Sequence, residues 1–170
     1  STPAPWVNVI ASPYIGTVVS ESGSAYTWVE NAHEFRLTTW HNDPLSDSSG
    51  EAIYIRDEET GTFWSPTPLP GSMDPQGQSG HVCRHGFGYS VFEHTEGGIG
   101  SELWVYVARD APVKFAVLKV RNTSGRPRRL CNPVIPRSQR DRGDLRDLGS
   151  REEIASLCYF GRPALHPSGQ

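Results

Sequence analysis

The side chains best suited to bind a sugar are concentrated between residues 23 and 40. Aromatic rings stack on the C–H face of a pyranose, while carboxylate, amide, imidazole and guanidinium groups form directional hydrogen bonds with its hydroxyls. The candidates in this stretch are Tyr26, Trp28, Glu30, Asn31, His33 and Arg36. Two interpretations stay open: a carbohydrate site, or core tryptophans beside a strand ion pair between Glu34 and Arg36. The first predicts that the segment lies at an exposed edge of the fold.

A second stretch with reactive side chains covers residues 83–90 and contains Arg84 and His85. Glycines on both sides of Phe87 allow a bulge or a close backbone approach. We predict that Arg84 and His85 contact an anion or a sugar hydroxyl; the alternative is a kinked strand with a hydrogen-bonded histidine. His85 and His94 also suggest a metal pair, but no third ligand follows at a suitable spacing. Neither a metal nor another cofactor is therefore predicted.

Motifs of several enzyme classes are absent from the sequence. It has no G-x-S-x-G elbow, no phosphate-binding loop of the Walker type, no H-E-x-x-H and no dinucleotide fingerprint. Glycoside cleavage needs two carboxylates at a fixed separation, and the adjacent acids Asp57, Glu58 and Glu59 have the pattern of a solvated turn. The residues themselves do not indicate that this chain is a catalyst.

The composition indicates a soluble globular body of 170 residues with 36 % hydrophobic and 10 % aromatic residues. A net charge of -3 gives no sign of a nucleic-acid partner, and no apolar run is long enough for direct membrane insertion. Three cysteines without C-x-x-C spacing favour a reducing compartment, so a cytoplasmic location is expected. The charge is unevenly distributed: residues 1–120 carry -8 and residues 121–170 carry +5.

Hydrophobic alternation before residue 121 predicts a mostly β fold, because several short runs alternate and none keeps a helical period. Val113, Phe115 and Val117 alternate with Lys114 and Ala116, which is typical of a surface strand. Turn sequences between the runs favour antiparallel hairpins. The predicted strands are Tyr14–Ser20, Glu34–Thr39, Ala52–Asp57, His81–Phe87, Tyr89–Thr95, Ser101–Val107 and Val113–Asn122.

Four stretches, residues 5–44, 50–70, 83–99 and 110–130, together resemble a known family. They include PWVNVIASPYIGTVVSESGSAYTWVENAHEFRLTTWHNDP and CRHGFGYSVFEHTEGGI. The chain resembles the N-terminal β-sandwich domain of glycoside hydrolase family 94, formerly glycosyltransferase family 36. Within that family it looks most like the phosphorylase-like region of cyclic β-1,2-glucan synthases. The resemblance covers about three quarters of the chain, in order.

The resemblance implies an antiparallel, galactose-mutarotase-like β-supersandwich that is truncated and lacks the α/α barrel of the family. That barrel holds the general acid of an inverting phosphorolysis, so this chain is expected to be a non-catalytic module that helps form a sugar site. The implied partners are a β-glucan or oligosaccharide, the missing barrel domain and, as in the family, a second copy of the chain. The parent protein is expected in the cytoplasm, with association to the inner membrane left open.

The resemblance stops at Cys131 and divides the chain into a sandwich domain, 1–130, and a divergent tail, 131–170. The tail is rich in arginine and has no hydrophobic period, which is what a frameshifted reading of a gene produces; a natural linker is the alternative. We expect the tail to be irregular or disordered, with at most a short helix over Ser150–Leu157. The strand Val113–Asn122 or its neighbour would then lack a partner.

Two other functions remain open. The chain could be a stand-alone, lectin-like carbohydrate-binding protein, in which case it binds glucan without any attached domain. It could also be a small sandwich enzyme that uses His85 and His94 for acid–base chemistry, which requires both imidazoles in one pocket.

Overall fold

The computed structural model describes residues 5–39, 49–69, 80–132, 134–136, 144–149 and 153–161. All the regular elements in these ranges are β-strands. In chain order they are β1 (Val7–Ala11), β2 (Ile15–Ser20), β3 (Ala25–Val29), β4 (Glu51–Ile53), β5 (Ile55–Asp57), β6 (Phe63–Trp64), β7 (Val82–Gly86), β8 (Tyr89–Glu96), β9 (Ile99–Val107), β10 (Val113–Asn122), β11 (Arg128–Asn132), β12 (Val134–Pro136), β13 (Asp144–Leu148) and β14 (Glu153–Gly161).

The strands of the described residues form four antiparallel sheets. The largest has the order β14-β10-β9-β8-β7, and a three-stranded sheet has the order β1-β2-β3. A four-stranded sheet, β13-β11-β5-β6, and a two-stranded sheet, β12-β4, complete the described topology. The predicted all-β, antiparallel sandwich is confirmed.

The core lies between the five-stranded sheet and the smaller sheets that cover one of its faces. Ile10 and Val19 of the three-stranded sheet belong to the same buried cluster as Phe92, Leu103 and Leu118 of the large sheet. Ile55, Trp64 and Leu130 extend this cluster from the four-stranded sheet. The other face of the five-stranded sheet, called here the outer face, carries the alternate residues of β8, β9 and β10.

Strand β10 has the predicted bounds, but its two faces are reversed. Lys114, Ala116 and Leu118 are buried, whereas Phe115 and Val117 are only half-buried on the outer face. The inner face of β10 is apolar except for Asn122 at its end and Lys114, which has a carboxylate partner. A buried lysine with such a partner can occupy a core position that the sequence pattern assigns to the surface.

Most predicted strands are confirmed, with two exceptions. The predicted strand Ala52–Asp57 is divided at Tyr54 into β4 and β5, which belong to different sheets, and Glu34–Thr39 is not a strand. Residue 34 ends a turn, and the residues after it run beside β3 without forming a regular strand, where Arg36 makes an isolated bridge with Trp28. The true strand here is Ala25–Val29, which pairs with β2. Local side-chain hydrogen bonds, described below, hold the following residues in a turn and outweigh their strand pattern.

The segment beyond residue 130 contains strands where irregular structure was expected. Strand β13 pairs with β11, and β14 pairs with β10 from Val113↔Gly161 to Arg121↔Glu153. The helix predicted over Ser150–Leu157 is wrong for residues 153–157, which belong to β14. Strand β10 therefore has a partner on each side, β9 and β14. The apolar run in Glu153–Gly161 pairs with a distant edge, and such long-range pairing overrides local helix signals.

Among the residues that the structure describes, no helix is long and apolar enough to cross a membrane.

Candidate functional site

Tyr26 and Trp28 form an aromatic surface on the outward face of β3. Their rings are half-buried, with centroids 5.2 Å apart and planes tilted by 32°. Trp28 lies opposite Gly16 of β2, and its ring occupies the space that a Cβ atom at residue 16 would need. The glycine thus lets the indole approach the backbone of β2 closely. Part of the ring packs on the sheet, and its half-buried state leaves the remaining area for a ligand.

A tight turn after β3 places polar side chains beside this aromatic surface. Glu30 has a positive φ of 57°, and its backbone N–H donates to the Tyr14 carbonyl at 3.0 Å. The Asn31 Oδ1 atom accepts hydrogen bonds from the backbone N–H groups of His33 at 2.8 Å and Glu34 at 3.2 Å. Asn31 therefore shapes the turn with its side chain, as asparagine commonly does.

The turn returns along β3, which brings its polar residues next to Trp28. The backbone N–H of Val29 donates to Phe35, and Arg36 forms the bridge with Trp28. The Arg36 Nε–H donates to the Ala32 carbonyl at 2.9 Å, which orients the guanidinium. The four polar candidates Glu30, Asn31, His33 and Arg36 are all exposed. The segment thus lies at the surface, as the carbohydrate interpretation requires, while binding itself stays a prediction.

A buried charge network lies under the aromatic surface, on the inner side of β3. The Lys114 ammonium donates to Glu51 Oε2 at 2.6 Å, to Thr17 Oγ1 at 3.0 Å and to Thr27 Oγ1 at 3.1 Å. Lys114 is 1 % exposed and Thr27 is fully buried. Thr27 lies between Tyr26 and Trp28 in sequence, so the network fixes the strand that carries the two rings.

The same network reaches the end of the turn. The Thr38 hydroxyl accepts a hydrogen bond from the Thr27 backbone N–H at 2.8 Å and donates to Glu51 Oε1 at 3.2 Å. The sequence does not predict this cluster, because Lys114 lies in an alternation that resembles a surface strand. One feature of the sequence does indicate that Lys114 is buried: Ala116, Leu118 and Val120 follow it at every second position and share its face of the strand.

Arg84 and His85 do not join the Tyr26–Arg36 segment. As neighbours in β7 they point to opposite faces of the five-stranded sheet. Arg84 pairs in register with Val91, on the outer face, and its guanidinium bonds Glu93. The Tyr26–Trp28 surface faces outwards from the other layer of the sandwich. The structure thus divides the predicted site residues between two layers.

His85 forms a small cluster with Ser90 and Cys83. Its Nδ1 atom lies 2.9 Å from the Ser90 hydroxyl, and its Nε2 atom lies 3.7 Å from the Cys83 sulfur. Burial lowers the pKa of His85, against the opposing effects of a Trp6 backbone hydrogen bond and the Glu21 charge. Burial, together with the Glu21 charge, raises the pKa of the Cys83 thiol to about 11. The thiol stays protonated at neutral pH and is a poor nucleophile there.

His85 and His94 lie at different ends of the β7–β8 hairpin. His85 pairs with Ser90, whereas His94 pairs with Ser101 of β9 and stacks on His81 with 3.8 Å between ring centroids. An acid–base mechanism that uses both imidazoles in one pocket is therefore not supported. Within the described ranges, no group of three or more histidine, cysteine or acidic residues could hold a metal ion.

Asp57 is buried, and the prediction that it lies in a solvated turn is wrong. Its carboxylate accepts a hydrogen bond from Arg128 and one from the Glu59 backbone N–H at 2.9 Å. Burial raises the pKa of Asp57, but the Glu59 and Thr60 backbone groups and the Arg128 guanidinium together outweigh it, and the pKa falls below its ordinary value. The ion pair joins β5 to β11. Glu58 and Glu59 are exposed, as predicted.

Comparison with protein families finds one model that matches most of the chain. The model describes the glycosyl hydrolase 94 supersandwich domain, and the match covers residues 1–132.

Comparison with curated proteins finds relatives of the same kind. The cyclic beta-(1,2)-glucan synthase NdvB of Rhizobium meliloti (strain 1021) is 35 % identical over 130 residues, which are 76 % of this chain and 4 % of the synthase. The N,N'-diacetylchitobiose phosphorylase of Vibrio furnissii is 30 % identical over 130 residues, 75 % of this chain and 16 % of the relative. The solabiose phosphorylase of Paenibacillus borealis is 31 % identical over 138 residues, 76 % of this chain and 17 % of the relative. The chain therefore spans only a small part of each relative.

Proposed function

This chain belongs to the glycosyl hydrolase 94 supersandwich-domain family, and from that membership we propose that it is a non-catalytic module that forms part of a sugar-binding site. Its parent is a cyclic β-1,2-glucan synthase or a related inverting glycoside phosphorylase. The observation that carries the proposal is the aromatic surface of Tyr26 and Trp28 beside an exposed polar turn.

The geometry of this segment suits a pyranose. The half-buried Trp28 ring, packed against Gly16, offers apolar surface to the C–H face of a sugar. The exposed groups of Glu30, His33 and Arg36 offer both acceptors and donors for hydroxyls. The buried Lys114–Glu51 pair supports this surface from the opposite side of β3.

The reaction then takes place in the rest of the parent protein. Cleavage of a glycosidic bond requires a general acid at a fixed distance from the attacking group, and the acids of the segment lie on an exposed turn. Because the chain spans 4 % of the synthase and 16 % of a phosphorylase, most of a relative-sized parent lies outside it. The proposed partners are a barrel domain that holds the acid, a β-glucan or oligosaccharide, and a second copy of the chain in a homodimer. The proposed location is the cytoplasm, with a parent at the inner membrane.

A titration of the purified chain with β-1,2-linked gluco-oligosaccharides tests the site. We expect saturable quenching of tryptophan fluorescence, and Trp28→Ala should weaken binding about tenfold, or about 1.4 kcal/mol, since one stacking contact is lost. Trp6→Ala is the matched control, because Trp6 is 70 % exposed and lies outside the segment. Equal affinity of Trp28→Ala and Trp6→Ala would refute the assignment. Release of glucose 1-phosphate by the purified chain would refute the non-catalytic role.

A stand-alone, lectin-like protein is the second candidate. The observation that favours it is β14, which pairs with β10 over nine residue pairs. Strand β10 therefore has a neighbour on both sides and is not an edge of the large sheet. A chain that closes this edge by itself does not need an attached domain there. Glucan binding by the isolated chain as tight as binding by a full parent protein would support this candidate over the module.

A further inference from the structure

We propose that a groove on the outer face of the five-stranded sheet binds a short neutral oligosaccharide, at a site separate from the Tyr26–Arg36 segment. The groove has a volume of about 550 Å³. Ligand pockets generally span about 300–1,000 Å³. Its lining comes mainly from β8, β9 and β10, and it includes neither Tyr26 nor Trp28.

A missing side chain creates the groove. Thr95, Gly100 and Arg121 lie in one row across β8, β9 and β10, so the central position of that row has no side chain. Gly100 has no positive φ, and a Cβ built there would make only ordinary contacts, 3.8 Å from Thr95 Oγ1 and from the Arg121 carbonyl. The backbone therefore does not require glycine at this position, and the hollow is available for a ligand.

The walls carry balanced charges. Glu93, Glu102 and Lys119 form the next row, and their side chains are 39 %, 36 % and 41 % exposed. With Arg121 the described residues of the lining include two carboxylates and two cations, which favours a neutral ligand over an anion or a cation. Carboxylates accept hydrogen bonds from hydroxyls, while ammonium and guanidinium groups donate to hydroxyl and ring oxygens. A hydroxyl-rich neutral molecule meets both requirements.

The described contacts leave acceptor capacity on Glu102. The Lys119 ammonium donates to Glu102 Oε1 at 2.9 Å, and the Trp104 indole N–H donates to the same oxygen. Neither described bond uses Oε2, which keeps its acceptor sites for a ligand. Trp104 lies beside the groove, with Lys119 over its ring at 5.4 Å, so its indole N–H is a natural reporter of the groove.

The groove is suited to binding and not to cleavage. Glycoside hydrolysis by paired carboxylates needs one protonated carboxyl with a raised pKa. The Trp104 and Lys119 hydrogen bonds lower the pKa of Glu102 despite partial burial, and Glu93 is paired with Arg84. Glu102 is thus held as an anion beside a cation.

The test is a two-dimensional ¹H–¹⁵N NMR titration of the full chain with cellotriose and with the β-1,2-linked glucotriose. We expect shifts of the Gly100 amide and the Trp104 indole N–H. Gly100→Val should abolish these shifts, because its side chain enters the hollow from a Cβ position that makes only ordinary contacts. Glu102→Gln, which keeps the shape of the side chain, should weaken the ligand-induced shifts. This variant serves as the test if the valine variant fails to fold. Trp28→Ala should leave the shifts unchanged.

Each outcome decides one site. Groove signals that stay unmoved by both trisaccharides, or that shift equally in Gly100→Val or Glu102→Gln, overturn the groove proposal. If the Trp28 indole alone responds, this inference fails and the proposed function stands. If the groove responds alone, the Tyr26–Arg36 assignment fails and the groove stands.

Discussion

Lys114 shows how one residue ties the candidate site to the core. Its ammonium is buried and bound by Glu51, Thr17 and Thr27, and the network continues to Thr38 at the end of the turn. The sequence predicts the exposed polar turn because its residue types suit a sugar. It does not predict the support beneath, since a lysine in an alternating strand is far more often solvated.

Removal of the Lys114 charge should destabilise the whole chain. Lys114→Met is expected to lower the free energy of unfolding by about 3–5 kcal/mol, because it leaves Glu51 with a carboxylate that has lost its buried partner. Urea denaturation measures this change. Lys119→Met is the matched control on the same strand: its pair with Glu102 is more than a third exposed, and its loss should cost about 1 kcal/mol or less. Equal losses in the two variants would contradict the role given to Lys114.

Asp57 should make stability sensitive to acid. Its pKa in the folded chain lies below its unfolded value, so its contribution to stability is complete above the unfolded pKa and is lost as the pH falls through the folded pKa. Asp57→Asn should be less stable than the parent chain at pH 7, and the difference should shrink below about pH 4, where the unfolded carboxyl protonates. Urea denaturation at several pH values measures the difference. A difference that stays constant down to pH 2 would contradict this account.

At the scale of elements, strands with strict alternation were predictable, and elements set by local polar bonds or distant partners were not. Residues 101–107 and 113–122 alternate, and both strands are confirmed. The stretch Glu34–Thr39 also has a strand pattern, but the Asn31 side chain caps the backbone of the preceding turn. Strand β14 depends on an edge that lies about forty residues earlier in the chain.

The same limit applies to the two candidate binding surfaces. The Tyr26–Arg36 segment is continuous in sequence, so its residue types reveal it. The groove combines Glu93, Glu102 and Lys119, which meet only because β8, β9 and β10 pair in a particular register. Register depends on long-range pairing and a one-residue slip would turn these side chains to the other face, so composition and spacing do not reveal the groove.

At the scale of the whole molecule, the family match and the described sheet end at different places. The match to the supersandwich domain ends at residue 132, whereas β14 continues the five-stranded sheet to Gly161. If β14 belongs to the fold, it covers a sheet edge that would otherwise present unpaired backbone groups to water and to other chains. If residues 131–170 are a frameshifted or divergent tail, the sandwich should keep its stability without them.

Hydrogen exchange of a chain that stops after Asn132 distinguishes these cases. Alternate amides of β10 point towards β14, and the others point towards β9. We expect the β10 amides that point towards β14 to exchange much faster in the truncated chain than in the full chain, because an edge amide that loses its partner is open to water. It should also aggregate more readily through the exposed edge. The amides between β8 and β9 are the internal control, since neither strand contacts β14 in the sheet order. Identical protection of β10 in the two chains would show that β14 contributes nothing to the fold, and the tail would then be the divergent segment that its sequence suggests.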